Sequence, residues 1–418
     1  MGIEHSVRFE TKLTAQNIGE INSSEEDAVW VCDLGSGYLS EFRRGGMVVT
    51  DHHVPDPRWR RRQTTLEDFN QIVHINPHCY GMDGSYETCG AGMTYVLSKT
   101  LDDGNTDLAF LAIVGAVGDF QDSHSNGLVG FNREILKDAV IMGDVEIVED
   151  LRMFGRDTRP VNTFLQYSTE PRIPGLSENP YGCEKFLDSL GVRKDDGRWP
   201  SWNGLEPGER DVVREAVLDR LSESDLEAAL GEVYTLPRFP VGSGLRDAKE
   251  FATALNSCGR YDDAGTGLRI CKGDADAKEL AENNRANHRR NISTAMGFVR
   301  DNHLIRERRF IQYFDAGPNI KETVVGIVTG MVLNSDLVHR RIPTFGFAEA
   351  EDGLKVSRRT DKAMADRGLD LSVVMNTAAN LVGGYGGGHS VAAGATIPPE
   401  KKKEFLDIVE DLVSSMVD

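Results

Sequence analysis

The stretch Met47-Val48-Val49-Thr50-Asp51-His52-His53 decides the fold. Its first four residues read as a short buried strand, and an aspartate with two imidazoles follows at once. Open α/β sheets hold their ligands at the carboxyl ends of the strands, so this tripeptide is placed to grip a divalent metal. Taken alone, it is explained equally well by histidines capping a strand or lying in a solvated loop.

A second aspartate in the same setting shifts that balance. Ala28-Val29-Trp30-Val31-Cys32 reads as another buried strand, running into Asp33 and the turn residues Leu34-Gly35-Ser36-Gly37. Parallel strands joined by a crossover bring their carboxyl ends side by side, which predicts that Asp33 and Asp51-His52-His53 converge. Asp119 is a third candidate: it closes the apolar run Leu108 to Val117, whose length predicts a helix, and Phe120-Gln121-Asp122 follow it. By itself Asp119 reads more readily as a helix-end carboxylate in solvent than as a catalytic group. Carboxylate with imidazole is a ligand set suited to Mn²⁺ or Mg²⁺ and unsuited to thiophilic metals. The chemistry it implies is metal-assisted hydrolysis of a phosphoester.

With 418 residues and 39% hydrophobic content, the chain can support two or three domains. Six cysteines, at 32, 79, 89, 183, 258 and 271, form no Cys-x-x-Cys, a pattern of reduced thiols in a cytoplasm rather than a disulfide or zinc framework. No signal peptide and no membrane-length apolar run is visible, so the expected protein is soluble and cytoplasmic, with no membrane partner. A net charge of −19 excludes a generic nucleic-acid coat, whose footprint is basic. Positive charge is instead local. Arg58-Trp59-Arg60-Arg61-Arg62 puts guanidinium groups and an indole close behind the Asp-His-His, a combination able to hold phosphates and stack a base. The arginines between Arg285 and Arg309 read as a solvated helix face.

Three zones separate along the chain. Residues 1–150 alternate strands and helices, as a parallel α/β sheet does, and Thr88-Cys89-Gly90-Ala91-Gly92 begins a helix whose small residues permit close approach to the site. Residues 151–307 turn helical and polar, with Glu209 to Glu232 the most periodic helix. Residues 308–418 return to α/β. Here Asp352-Gly353 predicts a hairpin turn between Thr344–Ala348 and Leu354–Ser357, and Phe405, Ile408, Val409, Leu412, Val413 and Met416 share one face of a final helix. Before that helix lies Gly383-Gly384-Tyr385-Gly386-Gly387-Gly388-His389. Consecutive glycines turn backbone N–H groups into a concavity able to bind phosphate, although a lone glycine run is more often a turn.

In their order along the chain, Asp33, Asp51-His52-His53 and Gly115-Ala116-Val117-Gly118-Asp119 resemble the DHH phosphoesterases, and more narrowly the archaeal RecJ-like nucleases, including those described as associated with the replication factor GINS. The resemblance extends through His74-Ile75-Asn76-Pro77, Leu255 to Arg260, Lys355-Val356-Ser357-Arg358-Arg359 and Gly386-Gly387-Gly388-His389. It implies a parallel-sheet DHH domain, a helical connector and a smaller C-terminal α/β DHH-associated domain. It also implies that Asp33 bridges two metals, that His52 and Asp119 ligate one of them, and that His53 contacts bridging solvent or substrate phosphate with Asp51 orienting the imidazoles. Ser357, Arg359, Gly386, Gly387, Gly388 and His389 would grip the nucleotide end of a single-stranded substrate, and Arg260 would line its channel. Read from the residues alone, Arg260 is a surface arginine.

One departure from the family stands out. Its first motif, a His-x-Asp-x-Asp-Gly that supplies most ligands of a second metal, has no counterpart here. The sequence reads as beginning one βα unit late: its recorded start is too far downstream, or the gene product lacks that site, or the copy has decayed. One metal position then keeps about three protein ligands, which makes activity of this chain doubtful. Three functions follow as expectations. The first is a Mn²⁺- or Mg²⁺-dependent exonuclease on single-stranded DNA or RNA, its substrate lying in a cleft between the first and last zones. The second is a catalytically impaired scaffold in a replication or repair complex with GINS-like partners. The third is a phosphoesterase for short oligonucleotides or small nucleotides.

Overall fold

A computed structural model describes residues 4–58, 72–123, 125–168, 171–360, 364, 369–388 and 392–417. The chain forms two compact units, Met1–Asn283 and Asn284–Asp418.

In the first unit, strands β1 (Val29–Cys32), β2 (Met47–Thr50) and β3 (Val73–Ile75) form a parallel sheet in the order β1-β2-β3. The register pairs Cys32 with Thr50 and Thr50 with Ile75, so the three carboxyl ends are level. Main-chain bonds continue one step past the strands: the N–H of Asp33 donates to Thr50 O at 2.8 Å and that of Asp51 to Ile75 O at 3.2 Å. Met47 and Val49 bury one face of the sheet against Leu13, Ile18, Leu39 and Phe42. On the other face, the Thr50 hydroxyl meets that of Thr94 at 2.8 Å, seating the helix Gly90–Leu101.

The run before Asp119 is a helix, Ala109–Gly118, as its length predicts. It is apolar nearly all round because helices enclose it, and Phe110, Ile113, Val114 and Val117 sit in one cluster with Phe251, Ala252 and Leu136. Gly115 permits the tightest crossing: a Cβ there would lie 2.6 Å from that of Ala91, so the small residues at 90–92 do admit close packing.

Two differences from the sequence reading concern the middle of the chain. Glu209 to Glu232 is not one helix. It divides into helices Pro207–Leu218 and Glu223–Ala229, the second capped by the Ser222 hydroxyl on the N–H of Asp225, and then becomes a strand. That strand, β5 (Leu230–Thr235), pairs antiparallel with β4 (Glu146–Leu151) in a two-stranded ribbon that the mostly helical reading omitted. Beyond it, Phe164, Leu187, Trp202, Val213 and Val217 build a separate helical core.

Glu250, buried in the first turn of helix Ala248–Arg260, ties that helix to the loop at 157–158. Its carboxyl accepts from the Asp157 N–H at 2.6 Å, the Thr158 N–H at 3.2 Å and the Thr158 hydroxyl. Burial and the neighbouring Asp247 push its pKa up from 4.5 to about 6. The folded chain therefore binds this proton more tightly than the unfolded one. The stability so gained is complete below pH 4.5 and disappears as pH rises through about 6, a difference of about 2 kcal/mol. Glu250→Gln keeps an acceptor for the two N–H groups and is expected to raise stability at pH 8 by about 1–2 kcal/mol, flattening the pH dependence between pH 4.5 and 6. Urea denaturation of both proteins at pH 5 and pH 8 measures this.

The second unit is a six-stranded sheet in the order β10-β11-β9-β8-β7-β6, from β6 (Arg306–Glu307), β7 (Gln312–Asp315), β8 (Thr344–Ala350), β9 (Gly353–Arg359), β10 (Tyr385–Gly388) and β11 (Ala392–Ile397). Only β7 and β8 run parallel. The predicted hairpin is β8–β9, with Ala350 opposite Gly353, so its two turn residues are Glu351 and Asp352, one place earlier than expected. Phe345, Phe347 and Val356 pack with Val374 and Met375 of helix Leu371–Leu381 and with Phe405 and Val409 of helix Lys402–Val417. On the opposite face lies helix Glu322–Leu333: a Cβ on Gly346 would lie 2.2 Å from Thr329 Oγ1. Among the described residues, no helix is long and apolar enough to cross a membrane, and no disulfide joins the six cysteines.

Candidate metal centre

The level ends of β1 and β2 deliver Asp33 and Asp51-His52-His53 to one place. Each of Asp33, Asp51, His52 and His53 offers a ligand atom within 4.8 Å of the others. Asp33 adopts a left-handed backbone with φ of 61°, a conformation that costs a non-glycine residue about 1 kcal/mol or more and is concentrated at functional sites.

Asp51 is almost wholly buried and both its oxygens are committed. Oδ1 accepts from the N–H groups of His52 at 2.8 Å and His53 at 3.2 Å and from His53 Nδ1 at 2.7 Å, while Oδ2 accepts from the Ser36 N–H at 2.9 Å. Burial alone would raise its pKa, but the His53 and Ser36 bonds outweigh that and hold it well below the usual carboxylate range. Its saturated oxygens suit an orienting role. Bonding to Asp51 in turn raises the His53 pKa.

His52 is the more enclosed imidazole, 11% exposed against 60% for His53. Its Nδ1 lies 2.7 Å from Gly84 O and donates to it, which leaves the lone pair on Nε2, 3.4 Å from Asp33 Oδ1. Gly84 can carry no side chain, because a Cβ there would sit 2.0 Å from His52 O. The Asp33 side chain is 64% exposed to solvent. Desolvation of its inner side raises its pKa against the pull of His52 and His53. Gly90 brings the helix Gly90–Leu101 against this carboxylate, since a Cβ at that position would fall 2.1 Å from Asp33 Oδ1.

Asp119 ends its helix beside the other ring nitrogen, with Oδ2 3.6 Å from His52 Nδ1. It is outside the group sharing the 4.8 Å separation. Its Oδ2 accepts from Gln121 Nε2 at 3.2 Å. Two carboxylates and an imidazole with a fixed Nε2 lone pair fit a hard or borderline divalent ion such as Mn²⁺ or Mg²⁺.

Behind the site, Ser36 and Asn76 knit the strand ends together. Asn76 Nδ2 donates to Ser36 Oγ at 2.8 Å and to His53 O at 2.9 Å, and Ser36 Oγ lies 2.9 Å from His74 Nε2. Desolvation lowers the His74 pKa to about 4, so this ring stands neutral beside the Ser36 hydroxyl. Ser36, Gly84 and Gln121 carried no functional weight in the sequence reading. Asn76 was noticed only within a family-like segment.

Of the Arg58 to Arg62 cluster, only Arg58 lies among the described residues. Its Nε donates to Asp56 Oδ1 at 3.0 Å and its Nη2 to Asp56 Oδ2 at 3.1 Å and Glu41 at 3.4 Å, so two acids engage the guanidinium. Trp59, Arg60, Arg61 and Arg62 lie outside the described residues. Arg260 ends helix Ala248–Arg260 half-buried, and desolvation lowers its pKa. On the same helix, Asn256 Nδ2 donates to Gly118 O at 3.4 Å, next to Asp119.

In the second unit, Gly346, Ser357, Gly394 and Gly387 stand in register across β8, β9, β11 and β10. Gly387 fronts open space, and Gly394 has only Val356 O at 3.4 Å and Lys355 Cε at 4.0 Å near its missing Cβ, which makes a side-chain-free floor beside Ser357. Gly326 and Gly330 let their helix lie close over Ser357 and Arg359. Gly386 faces the other way, its missing side chain accommodating Met375 O at 2.7 Å. Gly388 ends β10 opposite Ala393, and His389 lies outside the described residues.

Two family models match this chain: the DHH-CID domain over residues 153–230 and the DHHA1 domain over residues 309–415. An uncharacterised protein of Methanocaldococcus jannaschii is 26% identical over 411 residues, which is 97% of this chain and 85% of that one. The structure of RecJ from Thermus thermophilus in complex with Mn²⁺ superposes with a TM-score of 0.52 at 17% identity, over 96% of this chain and 46% of RecJ. This chain thus spans less than half the length of that protein. CDC45 from Entamoeba histolytica superposes with a TM-score of 0.60 at 10% identity, over 96% of this chain and 87% of the other. At such identities the structural likeness establishes the fold.

Proposed function

We propose that this chain, a RecJ-like member of the DHH superfamily, hydrolyses phosphodiester bonds in single-stranded DNA or RNA with Mn²⁺ or Mg²⁺ bound by Asp33, His52 and Asp119. The observation that carries the reading is the His52 ring, fixed by Gly84 O so that Nε2 lies 3.4 Å from Asp33 Oδ1. A divalent ion at that position would supply Lewis-acid stabilisation of phosphoryl charge and acidify bound water. Asp51 holds His53 by Nδ1 and directs its other nitrogen outward, for a hydrogen bond to the substrate phosphate. In the second unit, Ser357, Arg359 and His389 with the side-chain-free edge strand Gly386-Gly387-Gly388, only alternate N–H groups of which face away from β11, would grip the nucleotide end of the strand, and in the first unit Arg260 would contact the strand. The division into residues 1–150, 151–307 and 308–418, and a cytoplasmic location, belong to the same proposal.

A second reading, a non-catalytic scaffold for replication proteins such as GINS, draws on the fold shared with CDC45. A scaffold has no physical need of a tautomer-fixed imidazole facing a strained aspartate, which favours the enzyme. The test is incubation of the protein with end-labelled single-stranded DNA and RNA in Mn²⁺. Stepwise shortening is expected. Cleavage only of dinucleotides to mononucleotides, or of mononucleotides to nucleoside and phosphate, would favour a small-substrate phosphoesterase, and inertness towards all of these in Mn²⁺ and in Mg²⁺ would contradict an enzyme.

A further inference from the structure

Gln121 is fully buried two residues past Asp119, where the chain turns through a left-handed Phe120 with φ of 58°. Its Nε2 donates to Gly84 O at 2.9 Å and to Asp119 Oδ2 at 3.2 Å. That same Gly84 carbonyl accepts the His52 Nδ1 proton at 2.7 Å. At the other end of the amide, Gln121 Oε1 accepts from Asn132 Nδ2 at 2.7 Å, and Asn132 Nδ2 also reaches Tyr86 O at 3.3 Å. This network fixes which way the amide faces. Turned over, it would set an oxygen against the Gly84 carbonyl and the Asp119 carboxylate, and a nitrogen against the Asn132 donor. Main-chain bonds hold both partners: the Gln121 N–H donates to Ala116 O at 3.0 Å and the Asn132 N–H to Glu87 O at 2.7 Å.

We propose that Gln121, backed by Asn132, is the positioning residue of this metal centre, its single amide orienting Asp119 directly and His52 through the Gly84 carbonyl. The inference rests on Asp33, His52 and Asp119 being ligands. It goes further in naming one side chain on which two ligands from distant parts of the chain depend. Held by Gln121, the Asp119 carboxylate keeps one orientation beside His52. With both lone pairs of the Gly84 carbonyl engaged, His52 retains its proton on Nδ1 and its lone pair on Nε2.

Gln121→Met keeps the length of the side chain and removes the donor. Calorimetric titration with Mn²⁺ is expected to give an affinity about 10- to 100-fold below wild type, and ¹⁵N spectra of the His52 ring should change from one tautomer to a mixture. Gln121→Asn, too short to span both acceptors, should lose affinity in the same range and replaces the first variant if that one does not fold. A purely structural role would instead lower the metal-free melting temperature while Mn²⁺ affinity and the His52 tautomer stay as in wild type, and that result would overturn the proposal. Wild-type protein that binds no Mn²⁺ would overturn the ligand reading beneath it. Wild-type binding with unimpaired variants would overturn this inference alone.

Discussion

Gly90→Ala is expected to weaken Mn²⁺ binding by about a hundredfold while leaving the chain folded, because its largest effect falls on one ligand, Asp33. The added Cβ would lie 2.1 Å from Asp33 Oδ1, 2.8 Å from its Cγ and 2.9 Å from its Cβ. The helix cannot easily retreat, since Thr94 meets Thr50 across the same contact. Nor can the Asp33 main chain, which is bonded to Thr50 O and already left-handed. The carboxylate must therefore turn out of its present position, and because turning it leaves the Asp33 Cβ in place, helix and strand end must also part by a few tenths of an ångström. Alanine is a better helix residue than glycine by up to about 1 kcal/mol, which offsets part of the strain in the metal-free protein. Mn²⁺ titration paired with metal-free melting separates the two effects. Equal fractional losses of stability and affinity would place Gly90 in ordinary packing.

His52→Ala should reduce cleavage of labelled single strands by about a thousandfold or more, the equivalent of roughly 4 kcal/mol of lost transition-state stabilisation. The ring is the ligand candidate whose geometry is most completely determined: 11% exposed, bonded to Gly84 O on one nitrogen and facing Asp33 on the other. Removing it leaves two carboxylates, Asp33 and Asp119, with no imidazole between them. Asp51→Ala should act through His53 and through the strand ends, since four bonds converge on its carboxylate. Cleavage that persists in His52→Ala at the wild-type rate would mean that another site does the chemistry.

Much of this centre was legible because it depends on local pattern. A strand four residues long, ended by Asp and a turn, places that Asp at a sheet edge, and two such strands in succession imply a shared edge. The helical nature of Ala109–Gly118 followed from its length. What escaped notice depends on contacts between distant residues. Gly84 and Gln121 meet through a hydrogen bond across 37 positions, and no periodicity announces it. The ribbon of β4 and β5 was hidden because Leu230–Thr235 follows a helix directly and because Ile147 and Val148 of β4 are both exposed, so neither strand shows alternation. Arg58 looked available because its neighbours are cationic, but Asp56, two residues earlier, takes its guanidinium. Gly386 and Gly387 are indistinguishable as letters, yet strand alternation turns one to a helix and the other to open space.

The most direct test of the account is a crystal of this protein soaked in Mn²⁺ and recorded at the manganese absorption edge. An anomalous peak is expected about 2.0–2.3 Å from His52 Nε2, an Asp33 oxygen and an Asp119 carboxylate oxygen, with Asp51 still bonded to His53. A peak coordinated elsewhere, or His52 bound through Nδ1 with the Gly84 bond broken, would contradict it.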